Sequence, residues 1–169
     1  MAEERSKILV GWDDSRRALP LANYVAGMVD KDRAQLVLYH VLFSLPDNLG
    51  DFSLEADTNS RPAGARVWTL DHKKTLARLG EKIRRRLAGA GFTPDDLTLL
   101  VKDMELGIAR DLLKECRSGY HSLIIGRRGK GLLKGVALGS VANKVLNQLI
   151  KLPLWIVGKG ASPYGLLLA

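Results

Sequence analysis

Apolar positions along the chain fall into short continuous runs and into three- and four-residue spacings, with polar stretches between them. Residues 7–12 read K-I-L-V-G-W, an aliphatic run of the kind that forms a buried strand. Asp13, Asp14 and Ser15 follow it and are favoured types before a helix. A helix is predicted over 16–30, with Leu19, Ala22, Val25, Ala26 and Val29 on one face. Residues 34–42, A-Q-L-V-L-Y-H-V-L, are almost continuously apolar and predict a strand buried on both sides, as in a parallel sheet.

Residues 44–64 are polar and carry Pro46, Asp47, Asn48, Gly50, Pro62 and Gly64. They read as a loop of about 20 residues, a length that in compact domains is functional or disordered. A long helix is predicted over 66–90, with Val67, Leu70, Leu76, Leu79, Ile83, Leu87 and Ala90 as its stripe and Gly89 and Gly91 as its stop. A third strand follows over 97–101. A short helix over 107–117 turns Ile108, Leu112 and Cys116 inward. A fourth strand over 122–125 leads into a Gly- and Lys-rich loop over 126–139. The last helix, 140–151, shows Val141, Val145 and Leu149 on one face, and a fifth strand over 152–157 has Pro153 near its start.

Strands and helices alternate throughout, which specifies an α/β fold: one doubly wound, five-stranded parallel sheet with helices on both faces. One domain over 1–158 and a tail over 159–169 account for the chain, with no internal repeat.

Composition narrows the class. The chain has 169 residues, 46% hydrophobic and 26% charged, which excludes a disordered tail, a collagen-like rod and a disulfide miniprotein. No apolar run approaches the roughly 20 residues of a membrane helix, and the charged start carries no signal-peptide pattern. The single cysteine, Cys116, excludes an internal disulfide. A soluble cytoplasmic protein is the expectation. The net charge of +8 is unevenly spread, at −4 over residues 1–60 and +12 over 61–169. A basic half is compatible with an anionic partner or with a solvated helix face.

In a doubly wound sheet, ligands bind at the carboxyl ends of strands. The ends to inspect are 11–15, 40–42, 103–107 and 126 onward. The last reads G-R-R-G-K-G-L-L-K-G-V-A-L-G-S over 126–140, a strand, then a glycine-rich loop, then a helix start. Glycines let backbone N–H groups approach an anion, and the helix start adds partial positive charge. Ser140 can cap the helix or bond a phosphate oxygen. Five glycines and four basic residues in fifteen favour a phosphate loop over a plain connector. The loop is neither a Walker A sequence, since Leu132 and Leu133 follow Gly131, nor a dinucleotide fingerprint, since Lys134 replaces the third glycine.

The spacing Gly126-x2-Gly129-x9-Gly139-Ser140 resembles the ATP-binding signature of the universal stress protein family. The I-L-V-x-x-D-x-S start over 8–15, His40-Val41 at the end of the second strand and the L-P-L-W-I-V stretch over 152–157 extend the resemblance to nearly all of 7–158. The resemblance implies an adenine-nucleotide α-hydrolase-like sheet that binds ATP or another adenine nucleotide, with Mg²⁺ as companion, and that dimerises through its last strand. It places Asp13 beside ribose or adenine and the backbone of Val41 on adenine. Gly126 and Gly129 pass close to ribose and phosphates, while Gly139, Ser140 and the amide of Val141 hold phosphate oxygens. The sequence departs from the family by placing Arg127 and Arg128 between the first two glycines. These cations either strengthen phosphate binding, contact a partner or obstruct the ribose side.

Other candidates are weaker. His40 at a strand end reads as a packed histidine. His72 and His121 lack neighbours at metal spacing, so no zinc site is expected, and Cys116 reads as core. Asp13 and Asp14 can act as a base, hold Mg²⁺ or cap a helix. Arg84, Arg85 and Arg86 point about 100° apart on a helix and form no flat surface by themselves.

The leading expectation is an adenine-nucleotide-binding stress-response or regulatory protein. Hydrolysis is expected to be slow or absent, since neither a general base nor a Walker lysine can be named; no catalytic or metal-ligating residue is assigned. The alternatives are a nucleotidyl-transfer or slow ATP-hydrolysing enzyme on the same architecture, and a nucleic-acid-binding module using the basic half. A homodimer and an unidentified protein partner are expected; a membrane is not, and nucleic acid is the less favoured partner.

Overall fold

The structure is a computed structural model that describes residues 5–42, 63–129, 138–149 and 151–158, with residues 63–71 as backbone. The predicted loop over 44–64 lies outside the described residues, except that 63 and 64 already belong to a helix. The tail over 159–169 and residues 130–137 of the basic loop lie outside them as well.

The continuous apolar run of residues 34–42 sits between two other strands, where such a run can bury both of its faces. In chain order the elements are β1 (Ser6–Gly11), α1 (Ala18–Met28), β2 (Ala34–Leu42), α2 (Ala63–Ala88), a 3-10 turn (Pro94–Asp96), β3 (Leu97–Asp103), α3 (Ile108–Glu115), β4 (Ser122–Gly126), α4 (Ser140–Gln148) and β5 (Leu154–Val157). The sheet has five strands in the order β3-β2-β1-β4-β5, all neighbours parallel. β1 is central: Ile8 pairs with Leu36 on one side and Ser122 on the other.

The two-residue alternation of strands divides the core. Ile8, Val10 and Trp12 share one face with Leu36, Leu38 and Leu42, covered by α1 and by Leu76, Ile83 and Leu87 of α2. Leu9 shares the other with Val37, Tyr39 and Val41, covered by α3 and α4. Cys116 belongs to this second core, and burial pushes its thiol up to about 11, a protonated and unreactive state.

The structure corrects three local expectations. α1 begins at Ala18, not at 16, because the preceding polar side chains close turns instead: Asp13 Oδ1 accepts from the Ser15 amide and hydroxyl, and Ser15 Oγ accepts from the Arg17 amide. The buried face of α1 is then Ala18, Leu21, Ala22 and Val25, and Leu19 is 37% exposed. Ile108 does not point into the core; it is 43% exposed at the start of α3. β5 begins only after Pro153, whose carbonyl accepts from the Leu123 amide at 2.9 Å; proline has no N–H to give the ladder.

Ahead of β3, Thr93 and Asp96 cap the 3-10 turn reciprocally, and the buried Asp96 also accepts from Arg5. The Arg5 guanidinium, with the Thr93 hydroxyl, holds the Asp96 carboxyl at about 2. Among the described residues no helix is long and apolar enough to cross a membrane.

Candidate functional site

β1 connects toward β2 on one side, and the later chain crosses to build β4 and β5 on the other. The winding therefore reverses between β1 and β4, where the carboxyl ends of two neighbouring strands diverge and leave a crevice. A cavity of about 430 Å³ occupies this place, within the range of small-molecule sites. The ends of β1, β2 and β4 and the start of α4 form most of its wall. The stretch 103–107 contributes nothing to it, since β3 lies at the sheet edge, two strands away.

All nine residues singled out in the sequence line this cavity: Asp13, Val41, Gly126, Arg127, Arg128, Gly129, Gly139, Ser140 and Val141. Their arrangement follows from backbone contacts. The Arg127 amide donates to the Val157 carbonyl at 2.7 Å, which fixes the strand exit, and the Gly139 amide donates to the Arg127 carbonyl at 2.9 Å. A Cβ on Gly139 would lie 3.2 Å from the Arg128 Cα and 3.3 Å from the Arg127 oxygen, so a side chain here would need that backbone to give by a few tenths of an ångström. Gly139 is itself the N-cap of α4, without a side-chain cap. Ser140 therefore does not cap the helix. It is exposed in the first turn, whose free N–H groups form the positive end of α4.

On the facing wall, Asp13 Oδ1 is engaged by Ser15 and Oδ2 lies against Gly129. Arg17 reaches across the seam, and its Nη1 donates to the Gly129 carbonyl at 2.7 Å.

Three further residues line the wall without having been assigned to the site, although Trp12 and His40 fall within the strand ends 11–15 and 40–42. The Trp12 and His40 rings are 4.6 Å apart, tilted by 37°. His40 Nδ1 lies 2.9 Å from the Trp12 carbonyl oxygen. A carbonyl only accepts, so Nδ1 carries the hydrogen and Nε2 of the neutral ring is an acceptor. Burial lowers the His40 pKa, against the Trp12 carbonyl and the charges of Asp14 and Asp13, which raise it. The packed histidine of the sequence reading is thus indeed buried, and it lines the cavity as well. Trp12 is 6% exposed, and its indole N–H has no partner among the described residues. His72 comes from α2, with Nε2 3.6 Å from Asp14 Oδ2. No sequence periodicity pairs residues so far apart. Among the described residues no group of three or more His, Cys, Asp or Glu side chains can hold a metal ion.

The chemistry is two-sided. The β4 loop and α4 start offer backbone amides and the cations Arg127 and Arg128. The β1 and β2 ends offer aromatic rings, a fixed imidazole and uncharged backbone. This suits a ligand with an anionic end and a planar polar ring.

A model of the universal stress protein family matches residues 4–158. Among solved structures, the chain is similar to the hypothetical protein MJ0577, the subject of a structure-based assignment of biochemical function, with 22% identity and a TM-score of 0.69, over 93% of this chain and 98% of that one. It is similar to a universal stress protein in complex with cAMP, at 20% identity and a TM-score of 0.59, over 92% and 98%. It is also similar to a universal stress family protein of Burkholderia pseudomallei, at 17% identity and a TM-score of 0.60, over 90% and 95%. These likenesses show the fold. Among curated proteins none is significantly similar to the chain.

Proposed function

The chain belongs to the universal stress protein family, and on that footing we propose that it is an adenine-nucleotide-binding stress-response or regulatory protein with ATP as its ligand. One observation carries the reading: the nine residues named from the family resemblance and its departure at Arg127 and Arg128 line a single cavity at the point where the winding reverses. The adenine lies against the Asp13 and Val41 side, beside Trp12 and His40. The phosphates lie at the β4 loop and on the first-turn amides of α4. Arg127 and Arg128 favour a polyphosphate over a singly charged nucleotide. The relative in complex with cAMP supports the adenine class. Mg²⁺ accompanies the phosphates, held mainly by their oxygens, as this cation usually is.

The bound nucleotide biases a surface that a protein partner reads. We assign no catalytic group, and hydrolysis is slow or absent. The protein acts as a homodimer joined through β5 in the cytoplasm.

The test is calorimetry of the purified protein with ATP and with guanosine triphosphate, together with mass spectrometry of small molecules released on denaturation. Saturable ATP binding in preference to the guanine nucleotide is expected. The absence of binding to any adenine nucleotide overturns the reading, and turnover of ATP at a rate of enzymes would replace a regulatory role with a catalytic one.

A further inference from the structure

Arg17 stands where a cation is unfavourable. It is the N-cap residue of α1, with Arg16 before it and no acidic residue in the first turn of the helix. The positive end of a helix favours anions and disfavours guanidinium groups. Such a conflict between local preference and observed placement is expected at sites of function. The side chain is half-buried, lines the cavity and crosses from the β1 side of the seam to the β4 side, where it donates to the Gly129 carbonyl at 2.7 Å. Among the described residues no carboxylate is in ion-pair contact with it. The group therefore has one neutral acceptor, a full charge, and donors of its planar fork left over at the cavity wall.

Resting on the reading of this cavity as an adenine-nucleotide site, we infer that Arg17 is a specificity residue that discriminates nucleotides by their number of phosphates. Arg127 and Arg128 belong to the β4 exit on one wall. Arg17 belongs to the opposite wall, so a polyphosphate lying along the seam is gripped from both sides. The bond to Gly129 presets the distance between these walls. An oxygen of a β- or γ-phosphate is a stronger acceptor for the remaining donors than water is, because the bond is charge-assisted. A nucleoside lacks that oxygen, and a monophosphate carries less charge to the same place. The contribution of Arg17 therefore rises with phosphate number, which separates this role from simple support of the loop.

The experiment is calorimetry with adenosine, AMP, ADP and ATP on the full chain and on Arg17→Gln, Arg17→Lys and, as a control, the neighbouring exposed Arg16→Gln. In Arg17→Gln the ATP affinity is expected to fall about 10- to 100-fold, the range of one to two charge-assisted bonds, and AMP by less than about threefold. Adenosine affinity stays unchanged. Arg17→Lys, which keeps the charge but not the fork, recovers part of the ATP loss, and Arg16→Gln behaves as the parent. An equal loss for all four ligands in Arg17→Gln reduces Arg17 to loop support and overturns the inference. Unchanged ATP affinity in that variant overturns it as well, while leaving the nucleotide site standing. If the parent binds none of the four, the site assignment and the inference fall together.

Discussion

Gly129 stands so close to the carboxylate of Asp13 that a Cβ built on it would lie 2.6 Å from Asp13 Oδ2. Real Cβ atoms do not make such contacts, so any side chain here must displace either the loop or the carboxylate. The glycine is favoured by a neighbour within the protein, before any ligand is considered.

Gly129→Ala should therefore weaken ATP binding at least about tenfold, because pushing the loop out also breaks its link to Arg17. In an Asp13→Ala background the same change should cost much less, with a coupling energy of about 0.5–3 kcal/mol, as expected for residues in contact. Calorimetry on the four proteins checks this. Strictly additive losses would place the glycine requirement on the ligand instead of on Asp13.

At Gly139 the obstacle is the backbone of Arg127 and Arg128, which must give by a few tenths of an ångström. Gly139→Ala should cost about 1–3 kcal/mol of stability through overpacking, along with ATP affinity. Urea denaturation measures the first and calorimetry the second. An unchanged midpoint would contradict the close approach of the β4 loop and α4. Arg127→Gln with Arg128→Gln should weaken ATP binding by about 1–3 kcal/mol.

β5 is a sheet edge of four residues, all half-buried: Trp155 packs on the α1–α2 side, Leu154 and Ile156 on the other. Among the described residues no strand pairs with the outer edge of β5; an apolar edge invites pairing, and the same strand of a second copy can supply it. Sedimentation at micromolar concentration should show a dimer, and Trp155→Lys should shift it toward the monomer. A parent protein that sediments at 18.5 kDa would refute the edge pairing. A dimer indifferent to Trp155→Lys would move the interface elsewhere.

Two acidic windows of stability follow from His40 and Asp96. The folded pKa of His40 lies below its ordinary 6.5, chiefly through burial, so the unfolded chain binds more protons at mildly acidic pH. Stability is complete above about pH 6.5 and declines as pH falls through the folded value. Asp96 is depressed from 3.8 to about 2. Its contribution is present above pH 3.8 and is lost as pH falls to about 2. Urea midpoints from pH 8 to pH 2 should show both declines. His40→Gln should flatten the upper one and Asp96→Asn the lower one; an upper slope that survives His40→Gln would assign it to another group.

Much of this was legible in the order of residues. The parallel sheet follows from 34–42, a run too long and too apolar for a strand with one wet face. The cavity's loop side follows from its glycines, because close backbone approach leaves a signature in composition. The phase of α1 was not legible: Leu19 and Leu21 each fit a three- or four-residue spacing with Ala22 and Val25, and docking on the sheet decides between them. Nor were Trp12, His72 and Arg17 legible as site residues. Each is placed by a partner far along the chain, and a side chain that reaches a carbonyl or a ring leaves no local pattern. The cap on the 3-10 turn was available in Thr93 and Asp96 at three-residue spacing, but such a short element has no hydrophobic period to draw attention to it.

The central position of β1 governs the order of assembly. Its pairing with β2 joins Ile8 to Leu36, whereas its pairing with β4 joins the same residue to Ser122. A chain emerging from the ribosome can form β1, β2 and β3 with their two helices while the other side of β1 is still an open edge. The seam that bears the cavity needs β4, whose residues lie more than 110 positions beyond their partners in β1. Until then the sheet exposes one flank of β1, a template for wrong association. Occupancy of the cavity thus reports that synthesis has run past β4 and that both halves have joined.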